Sequence, residues 1–259
     1  MSKDIALVLS SGGARGLAHI GAIEELESRG YHITSIAGCS MGALIAGVYA
    51  TGKLDAFREW MKSVDRKKML ELTDFSFSLT HLVKGNRIIE AIMDFVPDIL
   101  IEELPIPYSA VATDWKSGQE VVFRSGSLFA AIRASISLPL FYKPVERDGM
   151  ILIDGGVTNP LPMNRVARHD GDLLVGIDVS GNDSEKDMSI NYYTMLSRVS
   201  SLMIRQNSLL MAQLMKPDIL VDIHTSRYGG FDYDKSEKLI AIGRQKTKKL
   251  LSKYHSDRK

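Results

Sequence analysis

A single serine stands between two glycines in Gly38-Cys39-Ser40-Met41-Gly42, where a strand-like run, Tyr31 to Ala37, meets a stretch of small and apolar residues, Met41 to Ala50. That is the setting of a nucleophile elbow, in which a sharp turn lifts a hydroxyl clear of the backbone and neighbours without Cβ atoms allow the strained angles. A helix opening at Met41 would aim free N–H groups and the positive end of its dipole at a developing oxyanion. Such a pentapeptide also arises by chance, so its meaning depends on what else reaches it.

A second glycine cluster, Ser11-Gly12-Gly13-Ala14-Arg15-Gly16, offers backbone N–H groups that can converge on an anion. Two nucleotide-binding readings fail here. No Lys-Ser or Lys-Thr follows the loop, and the dinucleotide fingerprint is broken at Ser11 and lacks its acidic ribose partner, since the next strand ends in Gly38-Cys39-Ser40. The better reading pairs the loops: successive parallel strands deliver their C-terminal loops to one sheet edge, so one supplies the nucleophile and the other the oxyanion hole. The expected donors are the amides of Gly12, Gly13 and Ala14. Arg15 either supports this loop and attracts an anionic head group, or is a surface arginine on the first helical turn.

Serine needs a base. Of six histidines, His169 and His224 fit the chain order of a Ser, acid, His triad, though neither sits in a marked catalytic loop, and His19 reads as a packing residue. Asp154 is the stronger candidate, at the exit of the apolar run Met150-Ile151-Leu152-Ile153 and held by Gly155-Gly156. A carboxylate near pKa ~3.9 is a weak base, so that role requires burial or close hydrogen bonding. The plainer alternative is that Asp154 caps the turn before Asn159-Pro160.

The elements that position these residues alternate in the first half: strand 5–9, glycine loop, helix from about 17 to 29, strand 32–37, elbow, helix 41–51. This pattern predicts parallel strands with right-handed crossovers. Residues 54–97 read as mainly helical, interrupted at 73–79, where Phe75, Phe77 and Leu79 alternate with small polar residues, either as an ordinary packed loop or as a flap at an acyl-chain entrance or membrane contact. Strands follow at 108–113, 120–123, 150–153 and 173–179, with a helix near 127–135. Apolar spacing predicts a long helix over 191–215 and an amphipathic closing helix over 235–253. Met203, Met211 and Met215 could line a lipid channel, although their helical spacing fits core packing.

With 259 residues, 45% hydrophobic and 24% charged, the chain reads as one folded domain over 1–259, its motif-bearing core at about 5–180 and a helical closing segment at about 190–254. A net charge of +1 gives no field to recruit nucleic acid, and Arg66-Lys67-Lys68 and Lys246 to Lys249 read most simply as solvated helix faces, the alternative being a contact with anionic lipid. One cysteine excludes an internal disulfide framework, and Cys39 itself reads as a small buried residue rather than a reactive thiol. The N-terminus lacks a secretory core, and the longest apolar run, Ala43 to Ala50, is far short of the ~20 residues of a spanning helix. The expectation is a cytoplasmic protein whose membrane contact, if any, is peripheral. No Cys/His cluster suggests zinc and no acidic run has calcium-loop spacing, so no metal or cofactor is expected.

Taken together, Gly12-Gly13-Ala14-Arg15-Gly16 with Leu17-Ala18-His19-Ile20-Gly21, Gly38-Cys39-Ser40-Met41-Gly42, and Asp154-Gly155-Gly156 with Asn159 and Pro162 resemble the patatin-like phospholipase family. Ala131 to Pro139 looks like a further block, and the resemblance runs from about Ile5 to Val179. It implies a three-layer α/β/α sandwich with a mainly parallel central sheet, and hydrolysis of lipid acyl esters. It also implies a Ser-Asp dyad without histidine: Ser40 as nucleophile, Asp154 as base, and Gly12, Gly13, Ala14 and Arg15 at the oxyanion loop, with Gly16, Gly38, Gly42, Gly155 and Gly156 supporting the motifs. This chain has Ser11 where the family commonly has a third glycine, and Cys39 where it commonly has threonine. Two other readings stay open: a lipid- or partner-binding regulatory protein with a weakly active crevice, and a Ser-His-Asp esterase.

Overall fold

The computed structural model describes residues 3–72, 81–83, 86–181, 190–225 and 228–256. The first apolar run forms β1 (Asp4–Leu9), and a short 3₁₀ turn over Gly13–Leu17 leads into α1 (Ala18–Ser28). Then come β2 (His32–Cys39) and α2 (Met41–Ala50), with Ser40 as the single residue between them. A wall of α3 (Leu54–Ser63), α4 (Arg66–Leu72), β3 (His81–Val83) and α5 (Asn86–Met93) follows. The middle of the chain supplies β4 (Tyr108–Asp114), β5 (Glu120–Phe123), α6 (Leu128–Ser135), β6 (Leu140–Tyr142), β7 (Val145–Arg147) and β8 (Met150–Asp154). The last part holds β9 (Leu173–Asp178), α7 (Tyr192–Met215), β10 (Ile219–Asp222) and α8 (Ser236–Ser256).

Five strands run parallel in the order β10-β9-β1-β2-β4, and antiparallel strands finish the sheet beyond them. β1 is fully buried from Ile5 to Leu9, as a parallel strand covered on both faces must be. Ile5, Leu7 and Leu9 join a core with Ile20, Leu44 and Leu251 of α1, α2 and α8, while Val8, Ala37 and Leu174 face the other way, against Met211 and Met215 of α7. Helices thus cover both faces, giving the expected α/β/α sandwich.

The antiparallel end delivers a residue to the site. β5 occupies one edge of β4 over Ala110 to Thr113, so β2 and β8, which also pair with β4, must share the other edge. They approach from opposite directions: Cys39 pairs with Val111 and Asp154 with Ala112. The C-terminal ends of β2 and β8 therefore meet head-on over two consecutive residues of β4.

Some expectations need correction. The short strands β3, β6, β7 and β10 carry too few residues for a clear period of two, and none was expected from the sequence. The closing segment is not wholly helical, because the apolar Ile219-Leu220-Val221 becomes β10 and extends the sheet. The proposed flap, with Phe75, Phe77 and Leu79, lies outside the described residues. Among the described residues, no helix is long and apolar enough to cross a membrane.

Candidate active site

Ser40 has φ 54° and ψ −124°, a left-handed conformation that costs a non-glycine residue on the order of 1–3 kcal/mol. Tight packing around it enforces the turn. A Cβ on Gly38 would lie 2.3 Å from Gly42 O, and one on Gly42 would lie 2.4 Å from Leu9 O, so neither position has room for a side chain. Buried Ser135, at the end of α6, locks the elbow: its Oγ accepts from Ser40 N–H at 2.9 Å and donates to Val111 O at 2.6 Å. The block from Ala131 to Pro139 stands out in the sequence, but nothing in it assigns this hydroxyl a role. Replacing Ser135 by alanine strands both backbone groups, so Ser135→Ala is expected to cost ~1–3 kcal/mol in urea unfolding.

Asp154 is 2% exposed, and its carboxylate accepts two close hydrogen bonds, with Cys39 Sγ a weak third donor at 4.0 Å. Ser40 Oγ donates to Oδ2 at 2.5 Å, within the range of charge-assisted O–H···O⁻ bonds, and Gly156 N–H donates to Oδ1 at 2.7 Å. Its main chain is pinned as well, with Asp154 N–H donating to Ser137 O at 2.9 Å and Thr113 Oγ1 to Asp154 O at 3.1 Å. Burial raises the carboxyl pKa from 3.8 to about 6, against the opposing effect of the bonds from Ser40 and Gly156. The same burial, with Asp154 nearby, pushes the Cys39 thiol well above its ordinary value. A fully buried neutral thiol is a poor nucleophile, so Cys39 should not react with a disulfide reagent such as DTNB until the chain is unfolded; native-state titration measures this directly.

The glycine loop is aimed by its own side chains. Within one peptide unit C=O and N–H point in opposite directions, so fixing a carbonyl fixes the next amide. Ser10 Oγ holds Ser11 O at 3.0 Å and thereby orients Gly12 N–H, while Arg15 Nε holds Gly12 O at 3.2 Å and orients Gly13 N–H. Ala14 does not join them: it is buried, its N–H donates to Gly230 O at 2.8 Å, and it does not line the cavity. Arg15 braces the loop through its own hydrogen bond; burial pulls its guanidinium pKa down while Asp178 opposes that shift. Gly16 supports the turn by close packing, since a Cβ there would lie 2.3 Å from Met41 Cγ. His19 is a packing residue, its ring nitrogen 2.9 Å from Ser10 O and its pKa lowered to about 4 by burial.

Ser40, Asp154, Gly12, Gly13 and Arg15 all line one cavity of about 390 Å³. Ile88, Ile89 and Ile92 of α5 and an aromatic rim make its other walls largely apolar, while α7 presents a mixed face, with Leu196 and Ile204 beside Arg198 and three serines. In that rim the rings of Phe141 and Phe231 lie 4.6 Å apart, and Tyr233 hydrogen-bonds Tyr142. Nothing in the sequence marks this rim or the segment around Gly230 that packs on the glycine loop. Neither histidine candidate reaches the cavity. His169 precedes β9 at the opposite end of the sheet, where Leu173 pairs with Ile5, and His224 pairs with Asp222 at 3.2 Å, three strands or about 14 Å from β2.

Comparison with known proteins agrees with this architecture. The chain is 48% identical over 183 residues to an NTE family protein of Mycobacterium tuberculosis that is itself named as uncharacterized, covering 71% of this chain and 51% of that one. It is 33% identical over 188 residues to the neuropathy target esterase sws of Drosophila melanogaster, covering 70% of this chain and 13% of that one. To the mouse patatin-like phospholipase domain-containing protein 6 it is 35% identical over 193 residues, 71% of this chain and 14% of that one. The chain thus spans about half the length of its mycobacterial relative and a far smaller share of the animal ones. VipD from Legionella pneumophila shares the fold, with a TM-score of 0.55 at 16% identity over 97% of this chain and 67% of that one. The patatin-like phospholipase model matches residues 7–167, which include the glycine loop, the elbow and Asp154 on their adjoining strand ends, and the chain belongs to that family.

Proposed function

We propose that this protein hydrolyses lipid acyl esters through a Ser40-Asp154 dyad. The observation that carries the reading is the 2.5 Å contact between Ser40 Oγ and Asp154 Oδ2 inside a largely apolar cavity. A nearby carboxylate can take the hydroxyl proton, and burial has brought that carboxylate closer to neutral pH than an ordinary aspartate.

In the proposed reaction Ser40 Oγ attacks the ester carbonyl as its proton passes to Asp154 Oδ2. The N–H groups of Gly12 and Gly13 hold the tetrahedral oxyanion, where one such donor typically accounts for about 10²- to 10³-fold in rate. Asp154 then protonates the departing alcohol oxygen, leaving an acyl ester on Ser40. Water gives a proton to Asp154, attacks the acyl carbonyl and releases the fatty acid, and the proton returns to Ser40 Oγ. The isoleucines of α5, with Leu196 and Ile204 of α7 and the aromatic rim, supply the apolar surroundings an acyl chain requires.

The discriminating experiment is labelling with a fluorophosphonate beside an activity panel of phospholipids, lysophospholipids and short-chain esters. Stoichiometric labelling with turnover of at least one ester class supports the reading. A protein that binds lipid but is neither labelled nor active is a binding module with an idle crevice.

A further inference from the structure

The outward side of α7 is apolar where solvent would favour charge. Met195, Val199, Leu202, Met203, Leu210 and Leu214 are all exposed, Met203 and Leu210 at 60% and Leu214 at 74%. At 100° per residue they fall within about 120° of the helix circumference, and from Met195 to Leu214 they extend about 29 Å along it. The residues sharing that sector, Gln206 and Gln213, are uncharged. Isolated exposed leucines are ordinary, but six large apolar residues aligned on one uncharged sector of a helix mark a contact surface.

We propose that this stripe docks the protein on a phospholipid bilayer, with the mouth of the Ser40 cavity against the lipid. Three observations favour a bilayer over a second protein. The stripe adjoins the cavity: Leu196, which lines it, is three residues from Val199 and seven from Met203, and so borders the stripe on the helix surface. A protein seated there would crowd the entrance, whereas a bilayer brings the substrate to it. Other apolar groups continue the surface, with Phe231 of the cavity rim 49% exposed and Val157, in the turn after Asp154 that packs beside α7, 48% exposed. Finally, the 24 residues of α7 include no aspartate or glutamate to be repelled by lipid phosphates. Of its two arginines, Arg205 is held by Asp178 and Asp222 at 2.8 and 2.6 Å, which pins the helix to the ends of β9 and β10. A helix anchored on one side and apolar on the other suits shallow insertion parallel to the membrane plane.

This inference rests on the ester-hydrolase reading for its purpose but is measurable without it. The test is flotation of the full chain with phosphatidylcholine vesicles and with mixed phosphatidylcholine and phosphatidylglycerol vesicles. Met203→Glu/Leu210→Glu, two changes at exposed sites outside the cavity, should lower partition at least about tenfold on both. Hydrolysis of a soluble short-chain ester should stay unchanged while hydrolysis of vesicle lipid falls in step with binding. Ser40→Ala should float like the natural protein, so loss of all ester hydrolysis in the natural chain would remove the catalytic reading and leave the docking result standing. Binding that is abolished by high salt and untouched by the two glutamates would place the contact on the basic helix faces and overturn the proposal. So would a stable dimer in sedimentation velocity that the glutamates dissolve.

Discussion

Ser40→Ala is expected to reduce ester hydrolysis by at least about 10⁴-fold and to abolish fluorophosphonate labelling. Loss of the attacking atom leaves the loop amides and the cavity with nothing to transfer the acyl group to, so the residual rate should reflect binding and oxyanion stabilisation alone. The substitution also reaches Asp154, because the Ser40 hydroxyl donates to Oδ2 and lowers the carboxyl pKa. Without that bond the carboxyl, already raised to about 6, should rise further. A folded-state pKa above the unfolded value means that stability is fullest below the unfolded value and is lost as pH rises through the folded one. Ser40→Ala should therefore match the natural protein below pH ~4 and be less stable above pH ~6, by ~1–3 kcal/mol for a buried carboxylate short of one partner. Urea unfolding at the two pH values reads the difference. Equal labelling of the variant would show that another residue is the nucleophile.

The parts of this site that sequence alone made legible are those whose local geometry demands particular residue types. Gly38 and Gly42 have no room for a Cβ, Ser40 sits in the one-residue gap between β2 and α2, and Gly12 and Gly13 pack against Val179 and Gly230 where a Cβ would stand; each requirement leaves a mark in the chain itself. The parallel alternation from β1 to α2 was likewise legible, because buried strands and small-residue helices have distinct periods. Contacts made across long sequence separations leave no such mark. Ser135 is an ordinary serine at a helix end until the fold carries it to Ser40 N, 95 residues away. Gly230 is one more loop glycine until its carbonyl takes the Ala14 amide and removes it from the donors expected of the loop. The direction of β8 was also hidden. An apolar run ending in Asp-Gly-Gly predicts a strand and a turn, but only pairing with β4 shows that it arrives opposite to β2. The Met203, Met211 and Met215 set divides for a related reason: Met211 and Met215 pack toward the sheet, while Met203 faces outward, and helical spacing does not say which side meets the core.

Asp154→Asn should separate the catalytic role proposed for this carboxylate from its structural one. Asparagine has nearly the same shape, and its carbonyl oxygen can keep the Gly156 N–H bond while its NH₂ donates to Ser40 Oγ. The polarity of the central contact is thereby reversed, so the serine proton has no base to accept it, and kcat/KM should fall about 10²- to 10⁴-fold in a protein that still folds. In the natural chain the same quantity should rise with pH through about 6, as Asp154 ionises, whereas the residual activity of the variant should lack that limb. Stability should move the other way. Raising a carboxyl from 3.8 to about 6 means that the folded state gives up roughly 3 kcal/mol once pH has passed the upper value, and asparagine does not titrate. Asp154→Asn should accordingly be the more stable protein above pH ~6 by up to that amount, with the gap closing as pH falls toward ~4. Loss of activity together with gain of stability at pH 8 is the signature of a residue held ionised in a buried place for chemistry. A variant with full activity would remove Asp154 as the base, and one destabilised at both pH values would assign it to the turn it caps instead.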